Sequence, residues 1–424
     1  MDTKCPSPLE TVKACSVVVD IGAAGSRFGF SGSPLPAVQL FHAPAEAVAQ
    51  ESTENLQRPF NYSEGSGLKV EPDAFEACLR SGFNHLLPET ADSSSGAQGQ
   101  SLLLIEPTQV SKVMRRRLCE VAFEGMQVQR IFVAKRAALS VYAHGLTSGL
   151  ILDAGASHTC ASAVSNGWVV PESVMDCRLG GDLLDAALLE QLVRSGMQLQ
   201  VPIRCLKEAG CSCRISGEGD HVKVADGVDK TRGPGSVLLP DGERVELGTH
   251  SKTLLEVPEL LFTSPIRTRR PFARRLAAGP PTTTDYSGLH FMLAESVAAA
   301  EEASRALPKQ LGRSVVLCGG CSGMAGFTER MRAELRSLNR KWQARVDGGL
   351  AVMGTASTYS QLNGTLDELI TSSGTVDIPS TRTLTHSCWT GGAILASLGS
   401  LEEFWVTRAD YKESGMVAVR RKCP

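Results

Sequence analysis

Two aspartates sit where phosphate chemistry could be done. Asp20 ends the apolar run Val17–Val19 and is followed by Ile21 and Gly22; Asp153 ends the run Leu150–Leu152 and is followed by Ala154 and Gly155. Glycine at a tight turn lets backbone N–H groups come close to a phosphate chain. A carboxylate beside that turn can hold the waters of a Mg²⁺ that neutralises the phosphates. One Asp-x-Gly alone carries no information. Two in matching contexts carry more, and a third Gly-rich turn follows the apolar run Val315–Leu317 at Cys318, Gly319 and Gly320. Read by themselves, these turns weigh about evenly between a nucleotide clamp and ordinary β-turns.

The elements that must position these residues follow from pattern. Each Asp-x-Gly closes a short apolar run, which predicts a buried strand entering a tight turn. A second strand follows each turn, Ser26 to Phe30 and Thr159 to Val164, giving two β-hairpins. Helical spacing of apolar residues predicts helices over Val113 to Gly125, Arg136 to Gly145, Asp182 to Ser195 and Thr328 to Leu338, the last with Thr328 as N-cap. Strands alternating with helices indicate an α/β architecture. Four stretches read as loops or insertions: Glu46 to Gly67, Glu89 to Gln100, Ser216 to Ser236 and Ser264 to Ser287.

The chain has 424 residues, a length that suits two or three lobes, with 42% hydrophobic and 21% charged residues. A formal net charge of -2 argues against a general nucleic-acid binder. The first ten residues lack the apolar core of a signal peptide, and no apolar run reaches the roughly 20 residues of a membrane span. A cytosolic or nuclear protein is expected, so the 13 cysteines read mostly as buried thiols. Cys318 and Cys321 have zinc spacing, but no second pair accompanies them, and Cys211 and Cys213 are too close for a knuckle; a metal site is not expected there. Arg115–Arg117 reads as a solvated helix face. The denser cluster Arg267–Arg275 reads as a solvated loop, with docking to an acidic partner, a phosphoinositide or an import receptor as the sharper alternative. Trp168, Trp342, Trp389 and Trp405 read as core or groove residues.

Several segments resemble actin. Leu239 to Gly248 (LPDGERVELG) is similar to an actin segment, and Val257 to Phe262 (VPELLF) follows at a matching distance. Ser314 to Met331 resembles an actin strand–Gly-Gly–helix unit. His386 to Leu398 (HSCWTGGAILASL), Tyr411 to Gly415 and the ending Arg421 to Cys423 resemble the family's last segments. Tyr142 to Gly145 and both Asp-x-Gly hairpins fit in order. The resemblance covers most of residues 15–32 and 101–424. It implies the actin-like two-lobed ATPase fold, with duplicated ribonuclease-H-like domains and a reduced outer subdomain 2. The first lobe would span 1–145, shortened near 33–68; the second 146–378, with loops 216–236 and 264–287; and 379–424 would return to the first.

The resemblance implies a binding set for ATP or ADP with Mg²⁺. Asp20, Gly22, Arg27, Asp153, Gly155, Lys207, Glu208, Gly319 and Gly320 would bind the nucleotide, and Asp20 and Asp153 would hold Mg²⁺ through water. Arg27 stands where actins place a phosphate-touching lysine, and Lys207 and Glu208 where they contact the adenosine. The departures are equally specific. Ala23 stands for a phosphate-binding serine and Ala156 for a further carboxylate. Arg136 and Cys160 fall where actins orient the attacking water with glutamine and histidine, and His158 lies near enough to be a shifted substitute. Arginine stays protonated and is no general base. Slow or absent hydrolysis is therefore expected. The short outer subdomain makes a conventional homopolymer unlikely. The expected function is a non-catalytic cytoskeletal scaffold in the cytoplasm, or nuclear or perinuclear, with other cytoskeletal or actin-like proteins as partners. Segments such as Leu139 to Gly145 are similar in wording to testis-type actin-like proteins, which would place it in the sperm head. The alternatives are an actin-related subunit of a chromatin-remodelling or dynactin complex, and a slow ATPase of the actin, sugar-kinase and heat-shock-chaperone superfamily.

Overall fold

The computed structural model describes residues 15–43, 56–63, 66–88, 97–197, 201–214, 235–239, 242–264, 288–303, 315–347 and 381–423. The chain divides into two compact units, Met1–Thr147 with His386–Pro424, and Ser148–Thr385. These breaks fall near, but not on, the 145/146 and 378/379 boundaries expected above. Each unit mixes strands and helices, the α/β class expected from the sequence.

In unit 1, β1 (Val17–Ile21) is fully buried. Its three valines are stiff at χ1 and pack well on a pleated surface. It pairs antiparallel with β2 (Gly25–Phe30), in a register that sets Asp20 opposite Arg27. Strands β3 (Val38–Ala43) and β4 (Leu56–Gln57) extend that side of the sheet. A separate hairpin is formed by β5 (Phe60–Ser63) and β6 (Gly67–Val70). On the other side of β1, β7 (Ser101–Glu106) and β8 (Arg130–Lys135) run parallel, and Val406–Thr407 closes the edge. Helix α1 (Pro72–Leu86) starts with proline in its first turn, where the missing N–H costs nothing, and buries Phe75, Cys78, Leu79 and Phe83 on one face. Helices α2 (Lys112–Glu120) and α3 (Arg136–Tyr142) follow β7 and β8. Trp389, fully buried in the helix Thr381–Ser397, donates its indole N–H to the Val18 carbonyl at 3.2 Å. Gly29 makes room for it: a Cβ there would lie 2.6 Å from the indole ring.

Unit 2 repeats the central arrangement. Strand β9 (Gly149–Ala154) pairs antiparallel with β10 (Thr159–Ser165), and the register sets Asp153 opposite Cys160. β11 (Trp168–Val169) and β12 (Met175–Cys177) also pair with β10. β13 (Ser236–Leu238) and β14 (Arg244–Glu246) form a small hairpin. β15 (Val315–Cys318) runs parallel to β9, as β7 does to β1. Around this sheet lie α4 (Gly181–Arg194), α5 (Ile203–Gly210), α6 (Leu289–Ala303) and α7 (Phe327–Asp347). Arg330, buried, links Glu259 and Glu334 at 2.8 Å each.

Several expectations are corrected. The region Glu46 to Gly67 is not all loop: it contains β4 and β5 and the start of β6, and buried Phe60 packs edge-on against Phe75 at 6.0 Å. The helix expected over Val113 to Gly125 is α2 followed by a wider π turn, Val121–Gly125, with Met126 N–H donating to the Val121 carbonyl. Thr328 is no N-cap, because α7 begins at Phe327. Helices α1, α5 and α6 are not among the helices expected above. Trp168 is exposed at the β10–β11 turn rather than buried, whereas Trp389 and Trp405 are core residues. The side chain of Trp342 and the cluster Arg267–Arg275 lie outside the described residues.

Arg115 is the sharpest correction. It is not a solvated charge. It grips both oxygens of fully buried Glu106, at 2.8 and 2.6 Å, and donates to the Cys423 carbonyl at 2.8 Å. It thereby ties the chain's last turn to β7. Removing one partner of a buried pair costs about 3–5 kcal/mol, and Lys135, 3.4 Å from Glu106, remains to keep the loss at the lower end. Arg115→Met should lower unit 1 stability by about 3 kcal/mol in urea denaturation followed by tryptophan fluorescence. Arg116→Met, which removes only an exposed pair with Glu120, should leave the midpoint unchanged.

Candidate functional site

The two Asp-x-Gly turns fold alike. Gly22 N–H donates to the Gly25 carbonyl at 2.9 Å, and Gly155 N–H to the His158 carbonyl at 3.1 Å. Each turn is therefore a tight loop closed by its glycine between paired strands. The cross-strand partners differ, and with them the chemistry.

In unit 1 the carboxylate of Asp20 has no exposed surface. Arg136 Nη2 reaches Oδ1 at 2.7 Å and also the Ile21 carbonyl at 3.1 Å. Arg27 Nη1 reaches Oδ2 at 3.0 Å, and the Cys388 thiol donates to the same oxygen at 3.3 Å. Burial pushes this carboxyl's pKa up, but Arg136, Arg27 and the thiol outweigh it and hold it below the ordinary value. A carboxylate that holds a hydrated cation must accept hydrogen bonds from its waters. Both oxygens of Asp20 accept from guanidinium groups. Arg27 is likewise turned to Asp20.

Behind the turn lies a buried polar chain that the sequence did not disclose. His42 Nε2 is 2.9 Å from Ser26 Oγ, which is 3.0 Å from Cys78 Sγ. His42 Nδ1 lies 3.1 Å from the Gly22 carbonyl. Burial raises the Cys78 thiol to about 12, so it remains protonated. These three side chains come from β2, β3 and α1. They brace the turn from beneath, and no spacing rule links them.

In unit 2, Asp153 is part-buried and faces Cys160, a buried side chain whose thiol contacts the Ala161 carbonyl at 3.8 Å. His158 is not on the strand with Cys160. It sits in the turn before β10, 2.9 Å from Ser157 Oγ. The carbonyls of this turn are also held from beneath: Gly155 accepts from Gly181 N–H at 3.0 Å and from the Cys321 thiol at 3.3 Å, and Ala156 accepts from Asp182 N–H at 2.8 Å. Lys207 extends that scaffold. Its buried ammonium donates to the Gly181 carbonyl at 3.0 Å and pairs with Asp185 at 2.8 Å. Burial still pushes the Asp185 carboxyl above its ordinary value against the pull of Lys207. Glu208 is exposed and pairs with Arg204 one helical turn away. Gly319 has φ +87°, and a Cβ there would lie 2.6 Å from Asp153 Oδ1. Gly319 thus stands directly against the second aspartate, and exposed Gly320 opens the turn after it. The thiols of Cys211 and Cys321 are raised by burial to about 12.

The depressed pKa of Asp20 sets a pH dependence. A carboxyl whose folded value lies below its unfolded value of about 3.9 stabilises fully above the latter and loses that contribution as pH falls through the former. Asp20→Asn should melt below the wild type at neutral pH, and the gap should close below about pH 4. Thermal melts across that range check this; a gap independent of pH contradicts it.

Comparison with known proteins agrees with the paired turns. The Actin family model matches residues 11–214 and 197–424. Among curated relatives, Actin-like protein 9 of Homo sapiens is 29% identical, covering 97% of this chain and 88% of the relative. Actin-like protein 9 of Mus musculus is 28% identical over 97% of this chain and 89% of its own. Actin-related protein 4 of Arabidopsis thaliana is 26% identical over 76% of this chain and 71% of its own. No helix among the described residues is long and apolar enough to cross a membrane. With the family model matching almost its whole length, the chain belongs to the actin family, as a divergent actin-related protein.

Proposed function

We propose that this protein is a non-catalytic actin-like scaffold of a cytoskeletal assembly, which binds ATP as a structural ligand and cleaves it little or not at all. The observation that carries this reading is the position of Arg136. It stands where the resemblance places a water-orienting glutamine, and its guanidinium is tied to Asp20 and to the Ile21 carbonyl. Positioning a nucleophilic water needs a neutral or basic group with a free acceptor; a guanidinium offers donors only. Cys160, in the place of the histidine, is buried and weakly polar. Nucleotide binding is favoured by the two glycine-closed turns and by Gly319 beside Asp153. Lys207 serves this reading indirectly, since it holds the Gly181 carbonyl next to the Gly155 turn.

The scaffold would work through other cytoskeletal or actin-like proteins, in the cytoplasm or around the nucleus, with the sperm head as the setting that the testis-type resemblance suggests. Self-assembly into conventional filaments is not part of this reading. Release of inorganic phosphate from ATP by the purified chain is the direct test. Turnover should fall at least about tenfold below that of conventional actin assayed alongside, a loss of transition-state stabilisation of roughly 1.4 kcal/mol or more. The chain should stay in the supernatant when salt drives conventional actin into the pellet. Actin-like turnover, or an extended homopolymer, sinks the proposal.

A further inference from the structure

We propose that Ser157 binds the phosphate chain of the nucleotide through its hydroxyl, with His158 as the positioning residue that holds the hydroxyl oxygen from Nδ1. The inference rests on the nucleotide reading above and names the side chain with which unit 2 meets the phosphates.

Three observations carry it. The first is how the turn's acceptors are used. The Gly155 carbonyl accepts from Gly181 N–H at 3.0 Å and from the Cys321 thiol at 3.3 Å, the Ala156 carbonyl from Asp182 N–H at 2.8 Å, and the His158 carbonyl from Gly155 N–H at 3.1 Å. The start of α4 is packed directly against the back of the turn, since a Cβ on Gly180 would lie 2.6 Å from the Ala156 carbonyl oxygen. The second is what remains. Among the described residues no acceptor takes the backbone N–H of Ala156 or of Ser157, and both residues are half-buried. With these three carbonyls engaged and these donors left over, the turn offers N–H groups and a hydroxyl, the groups that recognise an anion. The third is the side-chain pair itself: Ser157 Oγ lies 2.9 Å from His158 Nδ1.

The pair divides the roles of one hydroxyl. With the proton on Nδ1, the imidazole donates to the Ser157 oxygen, and the hydroxyl hydrogen is left to donate to a phosphate oxygen. A hydroxyl already oriented loses little freedom on meeting its ligand, and a hydrogen bond to a charged oxygen is stronger than one to a neutral acceptor. The two turns differ in this respect. The first reads Asp20 to Ala24 (DIGAA) and the second Asp153 to Ser157 (DAGAS), so only the second ends on a hydroxyl.

The test is the Kd of the full chain for ATP and for adenosine, each measured by displacement of a fluorescent ATP analogue. Ser157→Ala should melt like the wild type, bind ATP about tenfold more weakly and bind adenosine unchanged. His158→Ala should weaken ATP binding by about threefold or more, and His158→Asn, which keeps an N–H donor, by less. Wild-type affinity for ATP in Ser157→Ala overturns the inference and leaves the nucleotide reading standing. A loss that adenosine shares in full marks a structural role and overturns it too. Equal losses in the two His158 variants overturn the positioning role of His158. An unaltered chain that binds neither the analogue nor ATP overturns both readings. Should Ser157→Ala not fold, Ser157→Gly, which also removes the hydroxyl, decides by the same readings.

Discussion

The buried carboxylate of Asp20 governs how unit 1 can behave. It sits at the end of a strand whose five residues are all buried, where an unpaired charge would be costly. The fold answers with two arginines and a thiol drawn from three places in the chain: the cross-strand partner Arg27, the first residue of α3, and Cys388 of the helix that also carries Trp389. With those groups in place, the hairpin keeps its glycine-closed turn above a paired, buried carboxylate.

Unit 2 reaches a comparable turn by other means. The register places Cys160 opposite Asp153, where unit 1 has Arg27 opposite Asp20. The turn is instead braced through its carbonyls by α4, by Cys321 and, one step further, by Lys207. Lys207 therefore acts through Gly181 rather than by reaching outward. Both turns rest on buried hydrogen-bond networks.

Much of this was legible in the sequence, and the limits have physical causes. The strand ends at Asp20 and Asp153 stood out because a short apolar run ending at glycine has few other solutions. The hairpins followed from what came next. Arg115 was misread because three consecutive arginines on a helix look solvated; only the return of the C-terminus beside β7 gives one of them a buried carboxylate and a carbonyl to hold. Trp168 was misread for the opposite reason, since a large aromatic residue suggests a core and this one caps an exposed turn. The outer region reads as loop by its polarity, while buried Phe60 finds Phe75 across a gap in sequence that no local pattern spans. The His42, Ser26 and Cys78 chain and the Cys388 contact to Asp20 were equally out of reach. They join residues of unremarkable type by tertiary proximity alone.

On the proposed reading, the turns hold a triphosphate that is not cleaved. That reading is tested most directly by the state of the nucleotide itself. The chain is loaded with ATP, freed of excess ligand, held long enough for conventional actin to convert its own, then denatured and its nucleotide separated by chromatography. Bound nucleotide recovered as intact triphosphate is the result expected here. Diphosphate in its place, or no nucleotide at all, would contradict the account.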